Sequence, residues 1–249
     1  MSENKFGNSA EDSELVLGQA QTLFESLELF GEENVFLPSS PVVAKVSLPN
    51  LDELIKKYQN CQNCELARFR QRIVFGQGSV SPKVLFIGEG PGYEEDRTGL
   101  PFVGKAGQLL DNILKAIGLD RANVYIANIV KCHPMKDPEH PDNRGNDRPP
   151  DEKEIAACRE ILLEQIRILQ PPLICSLGAT ASKALLETTE GITRLRGKVF
   201  QTVWPGLKGT RPLLPTYHPA ALLRNPDLKK DVWEDMKLLK KLIDQQIAF

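Results

Sequence analysis

An α/β fold built on a mainly parallel sheet follows from three features of the sequence. Four short apolar runs stand out: Lys83–Gly88, Asn123–Val130, Pro172–Gly178 and Leu213–Tyr217. Helical stretches separate or follow them, at Ala106–Ile117, Asp151–Leu169, Thr180–Leu186 and Leu228–Ile247. The runs are continuously apolar instead of alternating, as expected of strands buried on both faces. No internal repeat and no coiled-coil heptad interrupts the pattern.

The first run leads into the Gly-rich turn Gly88-Glu-Gly-Pro-Gly-Tyr-Glu-Glu-Asp96. Glycine lets the backbone approach a ligand closely, and the carboxyl end of a parallel strand is where open α/β sheets place their sites. The turn continues as Thr98-Gly-Leu-Pro-Phe-Val-Gly-Lys, which opens a helix and leaves free N–H donors near its start. The second run carries Asn128 near its end, where an amide offers one acceptor and two donors. The third contains Cys175, read as a core thiol. The last precedes Thr216-Tyr-His-Pro-Ala-Ala-Leu-Leu-Arg224, which holds one of only three histidines. Between Met135 and Pro150 the sequence MKDPEHPDNRGNDRPP contains four prolines and is expected to be a loop.

The composition is that of a globular protein: 249 residues, 41% hydrophobic and 26% charged, with no apolar run long enough to span a bilayer. No secretory signal is visible, so a cytoplasmic protein without a membrane partner is expected. The net charge of -2 is unevenly spread. Residues 1–55 hold ten acidic side chains against Lys5 and Lys45, whereas from Gly191 onward 11 Lys or Arg face five acids. Residues 1–50 therefore read as an acidic leader with one possible amphipathic helix between Glu14 and Phe30, and residues 51–249 as one basic domain. That balance is compatible with a polyanionic partner.

Five cysteines without an export signal point to metal ligation or core thiols more than to disulfides. Cys61 and Cys64 form C-x2-C; 67 residues separate that pair from Cys132, and 25 more precede Cys158. Four thiolates suit a tetrahedral zinc or a [4Fe–4S] cluster, and spacing alone leaves both open.

The ordered motifs GEGPGYEEDRTGLPFVGKAGQLLD, NIVKCHP, LGATASKALL, ITRLRGK and LPTYHPAALLRNP resemble those of the family 4 uracil-DNA glycosylases, the iron–sulfur members of their superfamily. The likeness runs from about Leu54 to Ile247. It departs at Gly90, where the family more often has Ala, and in a longer spacer between Cys132 and Cys158. The resemblance implies an αβα sandwich around a four-stranded, mainly parallel sheet. It also implies hydrolysis of the N-glycosidic bond of uracil in single- or double-stranded DNA, the opening step of base excision repair. By resemblance His218 donates to the departing base and Glu89 orients or activates water. Gly90, Pro91, Glu95, Phe102 and Asn128 join these two in the uracil site, with Asn128 reading the base edge, Phe102 stacking, and Glu95 excluding thymine where the family 1 enzymes carry a Tyr in place of Gly92. Leu222 is the expected wedge and Arg224 a phosphate contact. The four cysteines Cys61, Cys64, Cys132 and Cys158 hold a [4Fe–4S] cluster in this reading, and a monomer is expected, with the leader free to engage a replication or repair partner. Two other readings fit parts of the pattern: a non-catalytic, metal-containing nucleic-acid-binding module, and a glycosylase for another deaminated base such as hypoxanthine.

Overall fold

A computed structural model describes residues 50–247. The acidic leader, apart from its last residue, lies outside the described residues. The chain opens with α1 (Leu51–Tyr58), whose first turn is capped by Asn50 Oδ1 accepting from the Glu53 N–H at 2.9 Å. A single 3-10 turn at Glu65–Arg68 follows. Next come β1 (Gln77–Gly78), β2 (Leu85–Gly88), α2 (Tyr93–Thr98), α3 (Lys105–Ala116) and β3 (Tyr125–Asn128). The second half comprises α4 (Glu152–Leu169), β4 (Ile174–Leu177), α5 (Ala179–Leu186), α6 (Ile192–Leu195), β5 (Phe200–Val203), β6 (Thr210–Thr216), α7 (Pro219–Arg224) and α8 (Leu228–Ile247).

The strands form one six-stranded sheet in the order β1-β3-β2-β4-β6-β5. The central four, β3-β2-β4-β6, run parallel, as the apolar runs require. Two antiparallel edge strands extend the expected four-stranded sheet: β1 beside β3 and β5 beside β6. Sequence reading places neither. Two residues are too few for a pattern, and β5 alternates half-buried and exposed positions as an edge strand does.

Alternation along the strands builds a layer on each face. Phe86, Ile126, Cys175 and Leu214 point to one side and pack with Leu110 and Leu114 of α3 and with Met236 and Leu239 of α8. Leu85, Ile87, Tyr125, Ile174 and Leu213 point to the other and meet Ile161, Leu162 and Ile166 of α4. The result is an αβα sandwich. Cys175 is fully buried, which pushes its thiol well above the ordinary range.

Register brings the carboxyl ends of the parallel strands level. Gly88 lies opposite Asn128, Ile87 opposite Ser176, and Leu177 opposite Thr216. Whatever follows these positions is delivered to one edge of the sheet. The segment from Met135 to Pro150 is a loop, as expected, closed by an isolated bridge between Met135 and Asp147. Asn146 rigidifies it from within: its Oδ1 accepts from the Asp137 N–H at 2.8 Å, and its Nδ2 donates to the Asp137 carbonyl at 2.7 Å.

The loop hands over to α4 through a reciprocal cap. Asp151 Oδ1 accepts from the Glu154 N–H and Glu154 Oε2 from the Asp151 N–H, both at 2.8 Å. Replacing Asp151 by Ala should lower the unfolding free energy by roughly 1 kcal/mol, the usual worth of such a cap. Chemical denaturation reads this directly, and an unchanged midpoint would show that Glu154, gripped by the Arg148 guanidinium at 2.6 and 2.8 Å, holds the helix end without it.

Candidate active site

A cavity of about 560 Å³ opens at the carboxyl edge of the parallel strands. Glu89, Gly90 and Pro91 enter it from the turn after β2, Asn128 from the end of β3, and His218 from the turn after β6. Glu95 and Phe102 complete the wall. Every uracil-site residue read from the sequence therefore lines one cavity.

Asn128 is 1% exposed, and its Oδ1 is the only buried side-chain oxygen or nitrogen without a hydrogen-bond partner among the described residues. An unmatched buried acceptor is costly unless a ligand donor completes it. Its main chain is fixed: the buried Lys131 ammonium donates to the Asn128 carbonyl at 2.7 Å and to Gln165 Oε1 at 2.5 Å.

His218 caps α7. Its Nδ1 accepts from the Ala220 N–H at 3.1 Å, which leaves the proton of the neutral ring on Nε2. Burial, and after it the nearby Arg224 guanidinium, push its pKa down to about 4. The ring is therefore a neutral donor at physiological pH. Phe102 packs beside it, centroids 5.4 Å apart and planes tilted by 33°.

The two carboxylates differ in their bonding. Glu95 is saturated: Oε1 accepts from the Val103 and Gly104 N–H groups at 2.8 and 3.0 Å, and Oε2 from Gly92 at 3.2 Å. The Glu89 carbonyl accepts from the Val130 N–H at 3.3 Å, but its carboxylate makes no hydrogen bond or ion pair to another described residue and is free to hold a water. A structural capping role thus falls to Glu95.

The structure corrects one assignment. Leu222 is 2% exposed and belongs to the core beneath α7, so it is not available to enter a base stack. The exposed residue of that turn is Leu223, at 50%. Arg224 lines the cavity and has no ion pair among the described residues. Sequence reading also missed the loop at 135–150 as part of the mouth, where Arg144, Asp147 and Arg148 line the cavity. Nothing in its composition distinguishes a wall from a solvated excursion.

A second, smaller cavity is lined by all four of Cys61, Cys64, Cys132 and Cys158. Among the described residues no three His, Cys, Asp or Glu come together as ligands of one ion. Two cations face the sulfurs. Arg70 Nη1 donates to Cys132 Sγ at 3.6 Å, and burial lowers the pKa of the Lys131 ammonium to about 8 against the opposing influence of Cys158 and Cys132. Burial pushes the free Cys132 thiol up to about 12, so thiolates form here only around a positive centre. The donor set fits a thiolate-bound metal group.

The cavity of this αβα sandwich thus brings together an unmatched amide acceptor, a neutral imidazole donor and a free carboxylate. Residues 75–237 match the family described as the uracil DNA glycosylase superfamily. A type-4 uracil-DNA glycosylase of Sulfurisphaera tokodaii is 39% identical over 200 residues, which are 78% of this chain and 86% of that protein. One of Thermotoga maritima is 39% identical over 199 residues, 79% of this chain and 94% of its own. A type-5 uracil-DNA glycosylase of Pyrobaculum aerophilum is 26% identical over 215 residues, 72% of this chain and 88% of that one. The chain belongs to the uracil-DNA glycosylase superfamily and, within it, to the type-4 family.

The depressed pKa of His218 has a signed consequence. Its folded value, about 4, lies below the ordinary 6.5, so the unfolded chain binds an extra proton between these values. This site's contribution to stability is present above pH about 6.5 and is lost as pH falls toward about 4. Nitrogen-15 NMR should show the His218 ring neutral, protonated on Nε2, from pH 8 down to pH 5. A titration midpoint near 6.5 would contradict the burial described here.

Proposed function

We propose that this chain is a uracil-DNA glycosylase that hydrolyses the bond between uracil and deoxyribose, leaving an abasic site for base excision repair. The observation that carries this reading is the partnerless Asn128 Oδ1, buried in the cavity wall that also holds the neutral His218. Uracil offers a ring imide N–H to that oxygen and a 4-oxygen to the Asn128 amide. Cytosine presents the reverse pattern and would leave buried polar groups unpaired.

A base in a duplex must be flipped out to reach such a pocket. Bond cleavage then builds negative charge on the uracil 2-oxygen and positive charge on the sugar. His218 donates from Nε2 to that oxygen, and as a neutral donor it needs no proton from solvent. Glu89 holds the attacking water and offsets the charge on the sugar. Phe102 stacks on the base. Glu95, fixed by three backbone N–H groups, cannot withdraw to admit the thymine methyl. Leu223 takes the part of the apolar wedge, and Arg224 reaches a phosphate.

Cys61, Cys64, Cys132 and Cys158 hold a [4Fe–4S] cluster in this reading. Four cysteine sulfurs lining one cavity support this reading as a set of thiolate ligands. When bound, the cluster supplies a structural cross-link between the Cys61 segment and the loop after Asn128, and no redox step. No helix among the described residues is long and apolar enough to cross a membrane. A cytoplasmic monomer with a leader that contacts a replication or repair partner completes the proposal, supported by composition alone.

The decisive assay uses oligonucleotides with uracil opposite G, uracil opposite A, single-stranded uracil, and hypoxanthine, each followed by alkali cleavage. Cleavage at uracil is expected in all three contexts. Glu89→Ala and His218→Ala should each lower kcat by roughly tenfold to several hundredfold, and Asn128→Asp should relax discrimination against cytosine. Intact uracil strands with wild-type protein would overturn the reading, and cleavage at hypoxanthine alone would transfer it to another deaminated base.

For the metal site, protein purified without oxygen should absorb near ~400 nm and carry about four iron atoms per chain. Stoichiometric zinc without that absorbance would replace the cluster by a mononuclear site.

A further inference from the structure

Phe102 has an unusual backbone. It is a bulky residue held at φ +53°, in the left-handed region that favours glycine, and it is 6% exposed. Such a conformation persists only where its surroundings enforce it. Here they enforce it from both sides. The N–H groups of Val103 and Gly104 are taken by Glu95, already described. The preceding carbonyls are taken by one side chain, Arg121, from the loop between α3 and β3.

The Arg121 guanidinium uses nearly all of its donors on this task. Nη1 donates to the Pro101 carbonyl at 2.9 Å and to Gln77 Oε1 at 3.2 Å, and Nη2 donates to the Phe102 carbonyl. Its plane is set by Asp111 of α3, whose Oδ1 accepts from Nε at 2.8 Å. A lysine could supply the charge but not this planar fork. The turn also sits directly on α3: a Cβ at Gly107 would lie 1.8 Å from the Phe102 carbonyl oxygen, so the approach requires glycine there.

We propose that Arg121, oriented by Asp111, is a positioning residue for base recognition. It holds the Phe102 turn in its left-handed form and so keeps the aromatic ring in the cavity wall beside His218. Without the clamp, Phe102 relaxes toward negative φ, and the ring leaves the face on which the base would stack. The inference rests on the uracil reading of the cavity but concerns a residue that touches neither base nor DNA in that reading.

The test measures inhibition of the full-length, cluster-loaded protein by free uracil, together with kcat and KM on a uracil oligonucleotide. Arg121→Ala, Phe102→Ala and the double variant are compared. Arg121→Ala should raise the inhibition constant roughly tenfold, as expected for losing one base–aromatic stack, and should raise KM more than it lowers kcat. In the Phe102→Ala background the same change should add nothing, because its effect passes through the ring. A role confined to stability would leave the inhibition constant of the folded variant unchanged, and independent roles would give additive losses; either result overturns the proposal. Should Arg121→Ala fail to fold, Arg121→Lys keeps a cation beside Asp111 but not the double carbonyl contact, and the same comparison decides. Wild-type protein that neither cleaves uracil DNA nor is inhibited by uracil would overturn the functional reading itself, which these variant outcomes do not.

Discussion

The pocket depends on an atom that is missing. Gly88 ends β2 opposite Asn128 of β3, and a Cβ there would stand 2.5 Å from Asn128 Oδ1 and 2.6 Å from Phe102 Cζ. Two of the groups that define the cavity therefore cross the same point on the sheet edge, and only a residue without a side chain leaves room for both. The parallel register makes this a single local requirement. Once β2 and β3 are aligned, Asn128 turns its amide over Gly88 and the Phe102 ring lies on the same spot, with His218 beside it.

Around that point the polar groups are sorted by what remains free. Glu95 spends its oxygens on three backbone N–H groups and so behaves as part of the wall. His218 spends Nδ1 on the end of its own helix, which fixes the tautomer and leaves Nε2–H to act. The Glu89 carboxylate and Asn128 Oδ1 spend nothing. Burial acts in the same direction: it keeps His218 neutral, so the Nε2–H donor facing the cavity carries no charge that would attract water or anions beforehand. The site is thus preorganised by hydrogen bonds made elsewhere, and the atoms left over are the ones free to meet a ligand.

Much of this was legible in the sequence because buried parallel strands are continuously apolar and their carboxyl ends are fixed by the turn residues that follow. The four central strands, the long helices and the convergence of Glu89, Asn128 and His218 all follow from that one property. What was not legible has equally physical causes. The edge strands carry no strong pattern, and Pro212 in β6 hides the start of a strand whose later residues read clearly. Leu222 and Leu223 are adjacent in a six-residue helix, too short for periodicity to tell the buried leucine from the exposed one. Arg121 lies in an ordinary loop, and its importance comes from carbonyl groups 19 and 20 residues away in the chain.

The two cavities are linked by Lys131. Its ammonium is fully buried, and its hydrogen bonds go to neutral oxygens, the Asn128 carbonyl and Gln165 Oε1. Gln165 in turn donates to the Phe75 carbonyl at 2.7 Å, and the Val74 N–H donates to the Lys131 carbonyl at 2.8 Å, so the segment before β1 is tied to the same centre. A buried cation needs negative charge nearby, and the groups that favour its charged form are Cys158 and Cys132. Thiolates bound to a metal centre would provide that charge without adding a carboxylate to the core.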